Sequence, residues 1–119
     1  MTKVEQRIRE VMRQLGSLNK YQLKIFNVVG KYEEIRSSDI AEVLKRTSSK
    51  TNEATRVSRE INDMLENTAL IFKRFSGDDG RYVLYSWTDE AVYVYETLGY
   101  DRRDNPAFRY SAHIEEKLT

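Results

Sequence analysis

The chain has 119 residues, of which 39% are hydrophobic and 33% charged, with one proline and no cysteine. That is one domain's worth of core, and it excludes a disulfide scaffold, thiolate chemistry and a disordered composition. Twenty Lys and Arg against 19 Asp and Glu leave a net charge of +1, so any case for nucleic acid must rest on where the charges lie.

The opening, MTKVEQRIREVMRQ, is charged throughout and lacks the apolar core of a signal peptide. Nor does any apolar run approach the roughly 18 residues of a membrane span, so a cytoplasmic, nucleoid-associated location and no membrane partner are expected. Val4, Ile8, Val11 and Leu15 recur at steps of four, three and four, one stripe on a helix of residues 2–15 that Gly16 should end. Two heptads are too short for a free coiled coil, so the stripe packs either on its own domain or on a second subunit.

SLNKYQLKIFNVVGKYEEI follows. Ser17 or Asn19 can cap a helix of about 20–34, with Leu23, Phe26, Val29 and Ile35 as its apolar face and Ile25, Val28 and Tyr32 widening it. RSSDIAEVLKRT reads as a shorter helix, with Ser38 as cap, Asp39 at its positive end and Lys45 and Arg46 at the other. Its apolar contacts are Ile40, Ala41, Val43 and Leu44. TSSK breaks that pattern, and a fourth helix runs from about 52 to 67. ALIFKRF and RYVLYSW, separated by SGDDG, signal a β-hairpin. TDEAVYVYETLGY returns to helix, with Thr88 as cap and Gly99 as stop. The remaining tail is polar, holds the single proline, and is expected to form a short helix near 107–118 or to be partly disordered.

The fourth helix is chemically uneven. On a wheel, Ala54, Val57, Ile61, Met64 and Leu65 face a core, while Asn52, Thr55, Arg56 and Arg59 lie opposite, followed by Asp63 and Glu66. From Lys45 to Arg59 the cations are Lys45, Arg46, Lys50, Arg56 and Arg59, against the single acid Glu53. From Glu60 to Thr68 there are three acids and no cation. Only the front half can approach phosphate, and recognition helices of duplex-DNA readers use that half. Arg pairs with guanine, Asn with adenine, and Thr meets the thymine methyl. Arginine on an outer helix face is most often simply solvated. The case therefore rests on the joint pattern: a short preceding helix, a Ser/Lys turn, a basic front half and a hairpin after it.

Two segments of that pattern, RSSDIAEVLKRTSSKTNEATRVSREINDMLE and LIFKRFSGDDGRYVLYSWTDEAVYVYETL, resemble the winged helix-turn-helix family of prokaryotic transcription regulators, broadly its MarR-like and PadR-like groups. GRYVLYSWTDEA is similar to a pattern common in that family after the wing tip, with Trp87 where Leu is usual and Ala91 where Gly is usual. The resemblance covers about residues 19–98. It implies a mainly α fold with a β-hairpin wing, extended here by N- and C-terminal helical segments. The domain plan is then an N-terminal helix over 1–16, a candidate for dimerisation, the winged helix-turn-helix over 17–99, and a polar tail over 100–119.

The resemblance further implies sequence-specific binding of double-stranded DNA by a homodimeric transcriptional regulator, with the helix of about 52–66 in the major groove. Lys50, Asn52, Thr55, Arg56 and Arg59 would serve the groove and turn. Lys45, Lys73, Arg74 and Arg81 would serve the wing and its flanks, although Asp78 and Asp79 at its tip would repel phosphate. Val4, Ile8, Val11 and Leu15, or Tyr93 and Tyr100 in an aromatic C-terminal third, are candidates for the dimer interface.

Catalysis finds little footing. The single histidine, His113, has no placed partner, metal-ligand spacings are absent, and SGDDG has neither the Lys nor the spacing of a phosphate loop. A non-enzyme without cofactors is expected, with no residue set arguing for a small-molecule effector. Rival readings are a winged-helix protein-interaction module, and a DNA-binding protein of plasmid or viral maintenance or of DNA architecture.

Overall fold

The computed structural model describes residues 2–45, 53–76 and 82–101. In chain order these form α1 (Lys3–Ser17), α2 (Lys20–Tyr32), α3 (Ser37–Lys45), α4 (Glu53–Asn67), β1 (Ile71–Ser76), β2 (Tyr82–Trp87) and α5 (Asp89–Thr97). The architecture is the expected one, mainly helical with an antiparallel β pair, in a winged-helix arrangement.

Local chemistry explains most boundaries. Thr2 caps α1 by accepting from the Glu5 backbone N–H. Asn19 and Gln22 form a reciprocal capping box at the start of α2, so Asn19, and not Ser17, is the cap. Thr88 caps α5, and its hydroxyl also donates to the Ala69 carbonyl at 2.6 Å. At the end of α5, Gly99 adopts φ +80°. The Gly99 and Tyr100 amides return to the Glu96 and Tyr95 carbonyls, a Schellman closure that a residue with a Cβ would resist.

Three boundaries depart from expectation. α1 runs through Gly16 to Ser17, because nothing there demands a left-handed glycine. α3 begins at Ser37, which puts Ser38 inside the helix and not at its cap. Ile35 lies outside α2 altogether. Glu33 takes φ +67°, and the Glu34 amide donates to the Tyr32 carbonyl at 2.8 Å, a tight γ-turn of the rare positive-φ hand. The chain then runs straight enough for Ile35 to exchange both backbone hydrogen bonds with Tyr85. A third, one-residue strand thus joins the wing to the end of α2.

The core gathers one face from each helix. α3 contributes Ile40, Ala41 and Leu44, and α4 contributes Val57, Ile61 and Met64. Ala54, expected among the latter, is exposed. At the centre, Trp87 ends β2 and stacks on Phe26 with ring centroids 4.2 Å apart and planes 8° from parallel. Its edge meets Tyr95 at 4.4 Å, and its Nε1 donates to the Phe26 carbonyl at 2.7 Å. The indole fits because residue 30 is glycine: a Cβ there would overlap Cζ2 and Cε2 of the ring.

The α1 stripe is spent inside the chain. Ile8, Val11 and Leu15 are buried in the same core, with α1 lying on α5. Their expected place in a dimer interface is corrected accordingly, since their apolar surface is already covered by the chain itself, and only Val4 remains exposed. On the outside, Arg7 clasps the two helices, donating to both carboxylate oxygens of Glu90 at 2.9 and 2.7 Å with its guanidinium 3.7 Å from the centre of the Tyr93 ring.

Gly30→Ala should destabilise the protein by about 1–3 kcal/mol, the usual cost of overpacking a filled core. Urea denaturation followed by tryptophan fluorescence reads both that loss and the displacement of Trp87. The Arg7 clasp holds the Glu90 carboxyl below the usual carboxylate range, through its hydrogen bonds and then its charge. A depressed folded-state value means stability present above the unfolded pKa and lost as pH falls through the folded one. Lowering the pH from about 6 to 3, across the ordinary glutamate value near 4.3, should therefore lower the melting temperature of the wild type more than that of Glu90→Gln.

Candidate nucleic-acid interface

The apolar contacts of Val57, Ile61 and Met64 press α4 onto the domain, and its opposite side is left to solvent. Thr55, Ser58, Arg59, Asn62 and Glu66 are all exposed and fall within roughly 100° of helical arc. This outer surface is polar from end to end, with one cation near the front and one acid at the back. Ser58 and Asn62 were not singled out from the sequence. The signal was present in the wheel, since they share the arc with Thr55, but uncharged residues do not register in a charge count.

A second line of residues, Arg56, Glu60 and Asp63, lies on the flank of α4 that meets the start of α2. The Arg56 guanidinium stacks 3.9 Å from the centre of the Tyr21 ring. Asn19 Nδ2 donates to Glu60 Oε2 at 3.1 Å. Gln22 Nε2 donates to Asp63 Oδ2 at 2.7 Å, and Asn67 Nδ2 donates to Asp63 Oδ1 at 2.8 Å. Gln22 is only 4% exposed, and its amide oxygen is taken by the Asn19 backbone N–H. Two of the acids in the back half of α4 are therefore partners of the α2 capping box. The expected single outer face, with Arg56 in the groove and Asp63 as its acidic continuation, divides into an outer arc and a braced flank.

The remaining expected contacts are scattered. Lys45 ends α3 and is exposed, as is Lys73 on β1. Arg74 is paired with Glu34 at 2.7 Å, both side chains about half exposed, so much of its charge is answered within the protein. Lys50, Asn52, Asp78, Asp79, Arg81 and His113, and the short helix expected near 107–118, lie outside the described residues. The β pair shows exposed aromatics that the sequence did not single out: Phe75 is 62% exposed on one face, and Phe72 and Tyr82 are exposed on the other. Alternation along a strand says which residues share a face, but not whether the outer end of either face is covered.

Of the aromatic interface candidates, Tyr93 is half-buried beneath Arg7 and Tyr100 is half-buried at the end of α5. Tyr100 also lines an open cleft of about 480 Å³ with Tyr95, Glu96, Asp101 and Glu33, to which α4 contributes nothing. Among the described residues no group of three or more His, Cys, Asp or Glu side chains could hold a metal, and no helix is long and apolar enough to cross a membrane.

No family model matches the chain, and no curated protein matches it. Solved structures do. A double mutant of ZitR from Lactococcus lactis superposes with a TM-score of 0.53 at 22% identity, over 86% of this chain and 63% of that one. The same mutant in its apo form superposes with a TM-score of 0.54 at 23% identity, over 99% of this chain and 76% of that one. The chain thus spans about two thirds to three quarters of the ZitR chains it resembles. At this identity the likeness establishes the fold alone, a winged helix.

The bracing of α4 has a measurable consequence. Asp63→Ala strands the buried Gln22 amide, which should cost about 1–3 kcal/mol in chemical denaturation, whereas Asp63→Asn keeps an acceptor and most of the stability. An unchanged midpoint in Asp63→Ala would show that the Gln22 contact does not hold α4 in place.

Proposed function

We propose that the protein is a double-stranded-DNA-binding transcription regulator that acts as a homodimer, with α4 in the major groove. The observation that carries this reading is the outer arc of α4. On the fold it shares with ZitR, the helix in the recognition position exposes Thr55, Ser58, Arg59 and Asn62, groups that donate and accept hydrogen bonds at base edges, with no apolar anchor among them. Its action is occlusion of a site or recruitment to it, with no chemical step, no cofactor and a location on the nucleoid in the cytoplasm. Two copies related by a twofold axis would place their α4 helices on half-sites about one DNA turn apart. With Ile8, Val11 and Leu15 committed to the core, Val4 and the aromatic end of α5 are the described interface candidates that could make that contact.

A second reading is favoured by one observation. Phe72, Phe75 and Tyr82 expose aromatic surface on the β pair, and exposed aromatics of this kind serve protein partners. A winged-helix interaction module would use these aromatics and leave α4 idle.

Fluorescence anisotropy of the full chain on a randomised duplex pool, at several salt concentrations, separates the two. On the DNA reading, binding weakens steeply as salt rises, Arg59→Ala weakens it by about tenfold, in line with the loss of one base contact, and Phe75→Ala leaves it largely intact. Absence of binding at low salt would sink the DNA reading in favour of the interaction module.

A further inference from the structure

We propose a division of labour on α4, which rests on the DNA-binding reading above. Thr55, Ser58, Arg59 and Asn62 read base edges, with Asn62 paired to an adenine. Arg56, tethered by Tyr21, contacts the phosphate backbone and carries no sequence information.

The four readers stand at i, i+3, i+4 and i+7, the spacing with which recognition helices present side chains to the major groove. Their span along the axis is about 10 Å at 1.5 Å per residue, equal to about three base pairs at 3.4 Å each. All four are exposed. Asn62 is the amide among them, and an amide offers the donor and acceptor together that adenine presents at N6 and N7. Glu66 lies on the same arc one turn further on, where its charge would repel the backbone. Asn62 is therefore the last residue of the arc able to remain in an anionic groove.

Arg56 is differently placed. It lies roughly 100° around the helix from Thr55, on the flank braced against α2. It is half-buried, with its guanidinium face against the Tyr21 ring. Stacking leaves the N–H edge of a guanidinium free to donate while removing most of the freedom of a long side chain. The neighbours of Tyr21 on α2 include Lys20 and Lys24, both exposed, and no acid occurs between Lys20 and Tyr32. Arg56 therefore holds one fixed positive charge beside the groove-facing arc, with the exposed Lys20 and Lys24 on the adjoining turns of α2. Glu60, the next flank residue, is engaged by Asn19 and marks where that phosphate contact stops. Tyr21 is a positioning residue on this account, since it acts through Arg56.

The test is site selection from a randomised duplex pool, followed by salt titrations on the selected site, with the wild type and Asn62→Ala, Arg56→Ala, Tyr21→Leu and Tyr21→Phe. Thermal melts confirm that each variant is folded. Asn62→Ala should lose about tenfold in discrimination at one position, an adenine, and keep the other preferences. Arg56→Ala should weaken all duplexes alike and reduce the salt slope by about one. Tyr21→Leu should show a smaller loss of the same uniform kind, and Tyr21→Phe, which keeps the ring, should recover most of it. The proposal is overturned if Arg56→Ala erases preference at a single base pair, if Asn62→Ala leaves every preference in place, or if Tyr21→Leu binds as the wild type does. A wild type that binds no duplex would overturn the DNA reading itself, an outcome distinct from any of these.

Discussion

The packing of Trp87 against Phe26 and Gly30 is the contact on which the rest of the molecule depends. The indole ends β2, lies on α2 and meets Tyr95 of α5, so one side chain joins the wing, the central helix and the last helix. It brings a polar group into the core and satisfies it there, because Nε1 reaches the Phe26 carbonyl. The arrangement needs a helix surface without a Cβ, which Gly30 supplies at the ordinary cost of glycine within a helix. The resemblance to winged-helix regulators places leucine where Trp87 stands. The larger ring is accommodated by the space at residue 30, and Ala91 is fully buried in the same core.

From that centre, two kinds of contact place α4. Apolar burial of Val57, Ile61 and Met64 sets its depth, but hydrophobic contact is non-directional and fixes rotation about the helix axis only coarsely. The polar ties at the α2 edge are directional. Asn19 to Glu60, Gln22 to Asp63 and Arg56 over Tyr21 lie along one line of the helix surface, and together they determine which residues face outward. The capping box that starts α2 therefore does a second service, because its Gln22 side chain also orients the neighbouring helix. The exposed arc of α4 is a product of this bracing as much as of the core.

Most elements of the fold were legible in the sequence because each carries its own local signal. Thr88 and Gly99 bracket α5, period-two patterning marks the strands, and the apolar repeat of α4 identifies its core face, apart from Ala54 near its exposed beginning. The bridge at Ile35 was not legible, because a one-residue strand has no period and its partner lies fifty residues away. The α1 stripe was legible as a stripe but not as to its partner. Periodicity shows that a helix has an apolar side, and the Arg7–Glu90 clasp that pins this one to α5 joins residues 83 positions apart. Arg56 illustrates the same limit within the candidate site. Its position on the wheel is close enough to Arg59 to suggest one surface, and only the location of Tyr21 separates the two.

Charge placement gives the site its character. The chain is nearly neutral, Arg74 is answered by Glu34, and Glu60 and Asp63 are held by α2. Among the described residues Lys20, Lys24 and Arg59 stay exposed on or beside α4, so on the DNA-binding reading phosphate contacts supply salt-dependent affinity without sequence preference. Preference among duplexes would then come from groups that match particular base edges. Neutral residues on the outer arc of α4, Thr55, Ser58 and Asn62, are therefore not filler between arginines. On the DNA-binding reading they are the groups through which one duplex could be told from another.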